Sequence, residues 1–212
     1  MTDRLTKRPG LMPRKADTRR RRRIILIICE GAKTELTYFN DLRLLAGRDN
    51  QISIRAITKT GVAPLKLVEY ARKRMLEDGL DHSVGDQAWC VFDVDDRSDD
   101  DIMGAVKAAG RYINLAISNP CFELWYLLHF DYTTVYMDPV GSIRRLRRHV
   151  CNYEKNKSIT YMLLAETENA IDRATKLVLY HKGNLANIPC RAANPLTLVH
   201  ELVRVLGIPQ QL

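Results

Sequence analysis

Between Asp93 and Asp101 the chain places six aspartates in nine positions, although its formal net charge is +8. Carboxylates this close repel one another, and a site that keeps them ordinarily has a cation to offset them. Asp99, Asp100 and Asp101 have a simple use at the start of the next helix, where negative groups are favoured by about 0.3–1 kcal/mol. Asp93 and Asp95 are different. They close the apolar run QAWCVFDVD, and strand alternation puts both on one side of the extended chain. Glu30 directly follows a second apolar run, IILIIC. In open parallel sheets ligands sit beyond the carboxyl ends of the strands, so Glu30, Asp93 and Asp95 are expected to share one site. Hard oxygen donors of this kind select Mg²⁺ or Mn²⁺.

Other chemistries lack their residues. The five histidines form no HxxxH pair, and the five cysteines lie at least 30 residues apart, so no zinc set is spaced for binding. There is no GxSxG elbow, no GxGxxG and no Walker-type GxxxxGKS. Glu123 lies in CFELWYLLHF, apolar nearly all round. A carboxylate there needs a partner: a second metal, an arginine or the helix's own amides. Lys33, in the turn after Glu30, could meet a phosphate at a helix start or simply be an exposed turn lysine.

The elements that must position these groups follow from periodicity. Strands are expected at 24–29, 52–57, 87–95 and 112–118, with amphipathic helices at 35–46, 64–77 and 101–109 between them. This alternation predicts an α/β domain over 24–132 with a mostly parallel, Rossmann-like four-stranded sheet. Asn119 and Pro120 mark a further helix start. Residues 133–212 read as a helical region, with helices at 141–150, 166–181 and 194–207, the last with Asn194 as cap and Pro195 at its first position.

Charge is distributed in blocks. Residues 1–23, with Arg19, Arg20, Arg21, Arg22 and Arg23, carry +8 and read as a flexible basic arm. Residues 24–140 carry −6, and 141–191, with Arg144, Arg145, Arg147 and Arg148, carry +6. Cationic flanks around an acidic middle suit a phosphodiester substrate, the arginines holding phosphates and the carboxylates a metal. No apolar run is long enough to cross a bilayer and no secretion signal is evident, so a cytoplasmic protein with no membrane role is expected.

ILIICEGAKTELTYF, VFDVDD and SNPCFELWYLLHF, in this order and at these separations, resemble the RloB family of bacterial phage-resistance proteins, which is similar to the TOPRIM nucleases and topoisomerases. The resemblance implies a TOPRIM-type, Mg²⁺-dependent nuclease of antiviral defence, acting on RNA (including tRNA) or DNA and often accompanied by a partner ATPase. The TOPRIM pattern of a Glu after the first strand and a DxD after a later one maps onto Glu30, Asp93 and Asp95, with Asp96 adjoining. Glu123 or Asp96 would complete a second ion. Topoisomerases of that group use a tyrosine from another domain. Tyr38, Tyr126 and Tyr132 are present here, but hydrolysis by water is the simpler expectation. Two rivals are a non-catalytic module that binds nucleic acid or an ATPase, and a nucleotide-sugar transferase using the DxD. The second leaves Glu30 and the arginine clusters without a role.

Overall fold

The computed structural model describes residues 21–46, 51–95 and 97–207. The chain runs β1 (Arg23–Cys29), α1 (Thr34–Leu45), β2 (Ile52–Thr58), α2 (Pro64–Glu77), β3 (Gln87–Asp93), α3 (Asp99–Ala109) and β4 (Ile113–Asn119). It continues through α4 (Glu123–Leu127), α5 (Pro139–Leu146), α6 (Thr160–Leu163), α7 (Thr167–Asn184), β5 (Leu196–Thr197) and α8 (Val199–Leu206). The sheet has five strands in the order β2-β1-β3-β4-β5. All neighbours are parallel except β4 and β5, which are antiparallel.

The strand alternation of β1 builds both sides of this sheet. Ile25, Ile27 and Cys29 point into one core with α1, α4, α7 and α8, while Leu26 and Ile28 point into another with α2 and α3. β1 and β3 are therefore buried on both faces, as their continuous apolar sequences require. Residues 24–132 and 133–207 share the first of these cores: Leu163, Ala174, Leu177 and Leu202 lie in the same cluster as Ile25 and Trp125. Tyr38 anchors its centre, edge-on to Phe39, Phe122, Trp125 and Tyr126 with ring centroids 5.3–6.5 Å apart.

Three sequence expectations are corrected. The sheet has a fifth strand, whose two residues are too short to show a period. Asn194 and Pro195 do not start a helix; α8 begins at Val199. The Asn194 side chain instead accepts from Met137 N–H (3.0 Å) and donates to the Met137 carbonyl (2.8 Å) and to Asn119 Oδ1 (3.1 Å). Asn119 likewise ends β4, and its Nδ2 donates to the carbonyls of Cys190, Arg191 and Ala193 at 2.8–3.2 Å. Both asparagines thus tie the loop before β5 to the sheet. A side-chain amide satisfies buried carbonyls as well as it caps a helix, and sequence spacing does not separate the two uses.

Among the described residues no helix is long and apolar enough to cross a membrane.

Candidate functional site

Strand order decides where a site can form. β1 leads to β2 on one side, and the chain then returns past β1 to lay β3 on the other, so the order reverses between β1 and β3. Such a reversal opens a crevice outside the carboxyl ends of the two strands. Glu30 follows β1 and Asp93 ends β3 at that opening. The Glu30 amide donates to the Val91 carbonyl at 2.9 Å, which holds the exit of β1 against β3.

The opening is a pocket of about 370 Å³ lined by Glu30, Lys33, Glu35, Asp93, Asp95, Arg97 and Lys155, with Gly31, Ala32, Thr34 and Gly61. β3 stops at Asp93, so alternation is not what brings Asp95 here. Asp95 sits in a turn with φ +43°, a left-handed conformation that aspartate tolerates better than most residues. Its amide donates to the Pro120 carbonyl at 3.2 Å, and Arg97 N–H closes the turn on Val94 O at 2.8 Å. The turn returns Arg97 to the pocket, where its guanidinium ion-pairs with Glu30. Past the turn, Ser98 caps α3 in a reciprocal capping box with Asp101.

The rear of the pocket holds a group of buried carboxylates. Glu35, in the first turn of α1, is buried, and Glu123, in the first turn of α4, is 1% exposed. Among the described residues the partner found for Glu123 is neither an arginine nor a helix amide. Its Oε1 instead accepts from Tyr153 Oη (2.9 Å) and Thr34 Oγ1 (3.3 Å) and lies 3.4 Å from Lys155 Nζ. Asp93 Oδ1 is buried with no hydrogen-bond partner. Gly31 leaves room for this group, because a Cβ there would collide with the Glu35 carboxylate.

Crowding moves the ionisation of these groups. Burial first, then the charges of Glu35 and Glu123, push the Asp93 carboxyl well above its ordinary value. Burial and the Glu123 and Glu30 charges raise Glu35. Burial also raises Glu30, against the lowering pull of Arg97. Burial works to depress Lys155, but attraction by Glu123, Cys121 and Asp93 outweighs it and holds the lysine above its usual value.

These facts fit a hard divalent cation in the chemistry of the donors, all of them oxygens, and in the orphaned Asp93 oxygen. They also show a pocket partly satisfied by its own cations. Among the described residues no three His, Cys, Asp or Glu side chains are already drawn together as a metal-binding set, and Glu30 is turned to Arg97.

The remaining site expectations divide. Lys33 is exposed on the pocket rim at the start of α1. Asp96, Arg19 and Arg20 lie outside the described residues. Arg21 pairs with buried Asp86 at 2.7 Å, and Arg22 and Arg23 adjoin it at the start of β1. The pocket is at the other end of that seven-residue strand, roughly 20 Å away. Arg144, Arg145 and Arg148 line a separate groove on α5, while Arg147 Nε donates to the Tyr153 carbonyl at 3.2 Å. Tyr38 and Tyr126 are each 2% exposed in the aromatic core.

The sequence reasoning missed Glu35, Arg97, Tyr153 and Lys155. Glu35 had a usable signal: it is the second glutamate of EGAKTE, a charge in the first turn of a helix on the side that carries Tyr38, Phe39 and Leu42. Arg97 stands beside the aspartates, but its reach to Glu30 spans 67 positions of sequence.

The family model described as RloB-like protein matches residues 25–206. Comparison with curated proteins and with solved structures gave no match.

Proposed function

The chain belongs to the RloB-like family, and from that premise we propose that it is a metal-dependent nuclease with a TOPRIM-like site. It would hydrolyse phosphodiester bonds of RNA (tRNA among the possible substrates) or DNA in bacterial antiviral defence. The reading includes a cytoplasmic setting and a partner ATPase. One observation carries it: Glu30, Asp93 and Asp95 line one pocket at the chain reversal between β1 and β3, with one Asp93 oxygen buried and unpartnered.

Glu30, Asp93 and Asp95 would hold Mg²⁺ or Mn²⁺, with Glu123 behind them for a second ion. Bound there, the metal supplies charge stabilisation at the scissile phosphate and activation of water. The chain's own residues do the rest. Lys33 offers its ammonium to the phosphate at the amino end of α1, where the helix amides also favour an anion. Arg97, paired with Glu30, would be available to a substrate phosphate where Glu30 held a metal. Lys155, 3.4 Å from Glu123, places a positive charge against the carboxylates at the rear of the pocket. Tyr38 and Tyr126 are sealed from substrate, and Tyr132, though 41% exposed, is not among the residues lining the pocket, which favours water as the nucleophile.

The Glu30–Arg97 ion pair gives a second reading some support: a non-catalytic module that binds nucleic acid or the ATPase, with the pocket neutralised internally. Incubation of the purified protein with total tRNA, and separately with plasmid DNA, with and without Mn²⁺, followed by end mapping, separates the two. Metal-dependent cleavage that vanishes in Glu30→Gln supports the nuclease. Cleavage unaffected by Glu30→Gln defeats the site assignment, and binding that persists in EDTA without any cleavage favours the module.

A further inference from the structure

A second concavity, of about 580 Å³, lies on α5 and the segment before it, lined by Val135, Tyr136, Asp138, Arg144, Arg145 and Arg148 among others. Its chemistry differs from that of the first pocket. Tyr136 is 74% exposed, and Val135 beside it is 64% exposed, both lining the groove with three arginines. Arg144 and Arg148 stand four positions apart and are exposed, and among the described residues neither has an ion-pair partner. Arg145 is braced by a 2.8 Å bond to Thr133 Oγ1. Among the described residues the one acid lining the groove, Asp138, is occupied in capping α5 through Gly141 N–H.

Exposed guanidinium forks suit phosphate oxygens, and an exposed ring beside them suits the face of a nucleobase. In a duplex the base faces are covered by their neighbours, so a protruding tyrosine has nothing to stack on. We infer that this groove binds unpaired nucleotides of a single-stranded nucleic acid, with Tyr136 stacked on a base and Arg144 and Arg148 on the flanking phosphates. The inference rests on the nuclease reading for its biological use and names the substrate's form: a single-stranded segment or loop. The two sites are joined through Tyr153, whose carbonyl accepts from Arg147 at the end of α5 and whose hydroxyl donates to Glu123 behind the carboxylate pocket. The end of α5, which carries the groove's arginines, is thus tied through Tyr153 to Glu123.

Fluorescence anisotropy of the full chain in EDTA tests this without chemistry, using labelled oligo(U), oligo(dT), a duplex of the same length and an acidic peptide. Tyr136→Ala weakens single-strand binding roughly 5- to 100-fold and leaves duplex binding unchanged, while Tyr136→Phe keeps it. Arg144→Ala with Arg148→Ala lowers the salt slope of log K by about 1.4. The inference is overturned if Tyr136→Ala has no effect, if it weakens duplex and single strand alike, or if only the acidic peptide binds. Cleavage by the same variants in Mn²⁺ keeps the two proposals apart. Loss of single-strand binding in Tyr136→Ala without any cleavage by the native chain sustains the groove and sinks the nuclease. Glu30→Gln-sensitive cleavage with unaltered Tyr136→Ala binding does the reverse.

Discussion

In the pocket at the ends of β1 and β3, Glu35 and Glu123 are buried and Asp93 has a buried oxygen; the charge of Glu123 acts on both Glu35 and Asp93, and that of Glu35 on Asp93. In the groove on α5, Arg144 and Arg148 face solvent without an ion-pair partner among the described residues. Buried charges interact through a poorly screening interior, so the pocket responds as a unit. Exposed charges are screened by water and salt, so the groove responds residue by residue. The first is suited to holding one ion in one geometry and the second to following a flexible chain. Four measurements sharpen or break this contrast.

The largest effect expected is on chemistry. Asp93→Asn lowers divalent-dependent cleavage roughly 10³-fold, the worth of several kcal/mol at a metal-assisted step, while oligonucleotide binding is retained. Near-native turnover in this variant would remove Asp93 from the site.

Next is Lys155→Met. It strips Glu123 of its nearby cation, and because the lysine is half-exposed the loss is about 1–2 kcal/mol, less than for a fully buried pair. Chemical denaturation in EDTA reads it, and an unchanged midpoint would show that Tyr153 and Thr34 suffice.

The third acts in the opposite direction. A carboxyl whose folded pKa is raised binds its proton more tightly in the folded state, so stability falls as pH climbs from the ordinary carboxylate value, near pH 4, through the raised one. Asp93 is such a group. In EDTA, Asp93→Asn therefore stabilises the chain by about 1 kcal/mol at neutral pH, and the gain disappears toward pH 4. A gain independent of pH, or a loss at pH 7, would mean that the carboxylates do not repel one another as their burial implies.

The smallest concerns the groove. Arg144→Ala with Arg148→Ala changes folding stability by no more than about 0.5 kcal/mol, as for exposed side chains generally. A larger loss would show that the arginines are structural supports.

The sequence made much of this legible, and unevenly. β1 and β3 could be located because strands buried on both faces demand continuous apolar runs, β2 and β4 from shorter strand-like patterns between the helices, and α1, α2 and α3 because one-sided burial leaves a helical period. The Asn194 cap failed because its local pattern is shared by a side chain that instead braces a distant loop, against Met137 and Asn119. Asp95 was placed at the right opening by a mechanism that the structure replaces, a left-handed turn in place of strand alternation. Glu123 was recognised as needing a partner, but Tyr153 and Lys155 lie about 30 residues away, across a segment whose path no local pattern specifies.

By itself the sequence determined the four parallel strands and the helices between them, that carboxylates follow two of those strands, and that basic clusters flank an acidic middle. These are properties of local periodicity and composition, set by each residue's own hydrophobicity and charge. Only the tertiary structure decided that β1 and β3 are neighbours, that Glu35 and Glu123 stand behind Asp93, and that Arg21 lies at the far end of the sheet from the pocket. Those outcomes depend on strand order and on contacts across long sequence separations. They are fixed when the two faces of the sheet are covered, a result of the whole chain's packing.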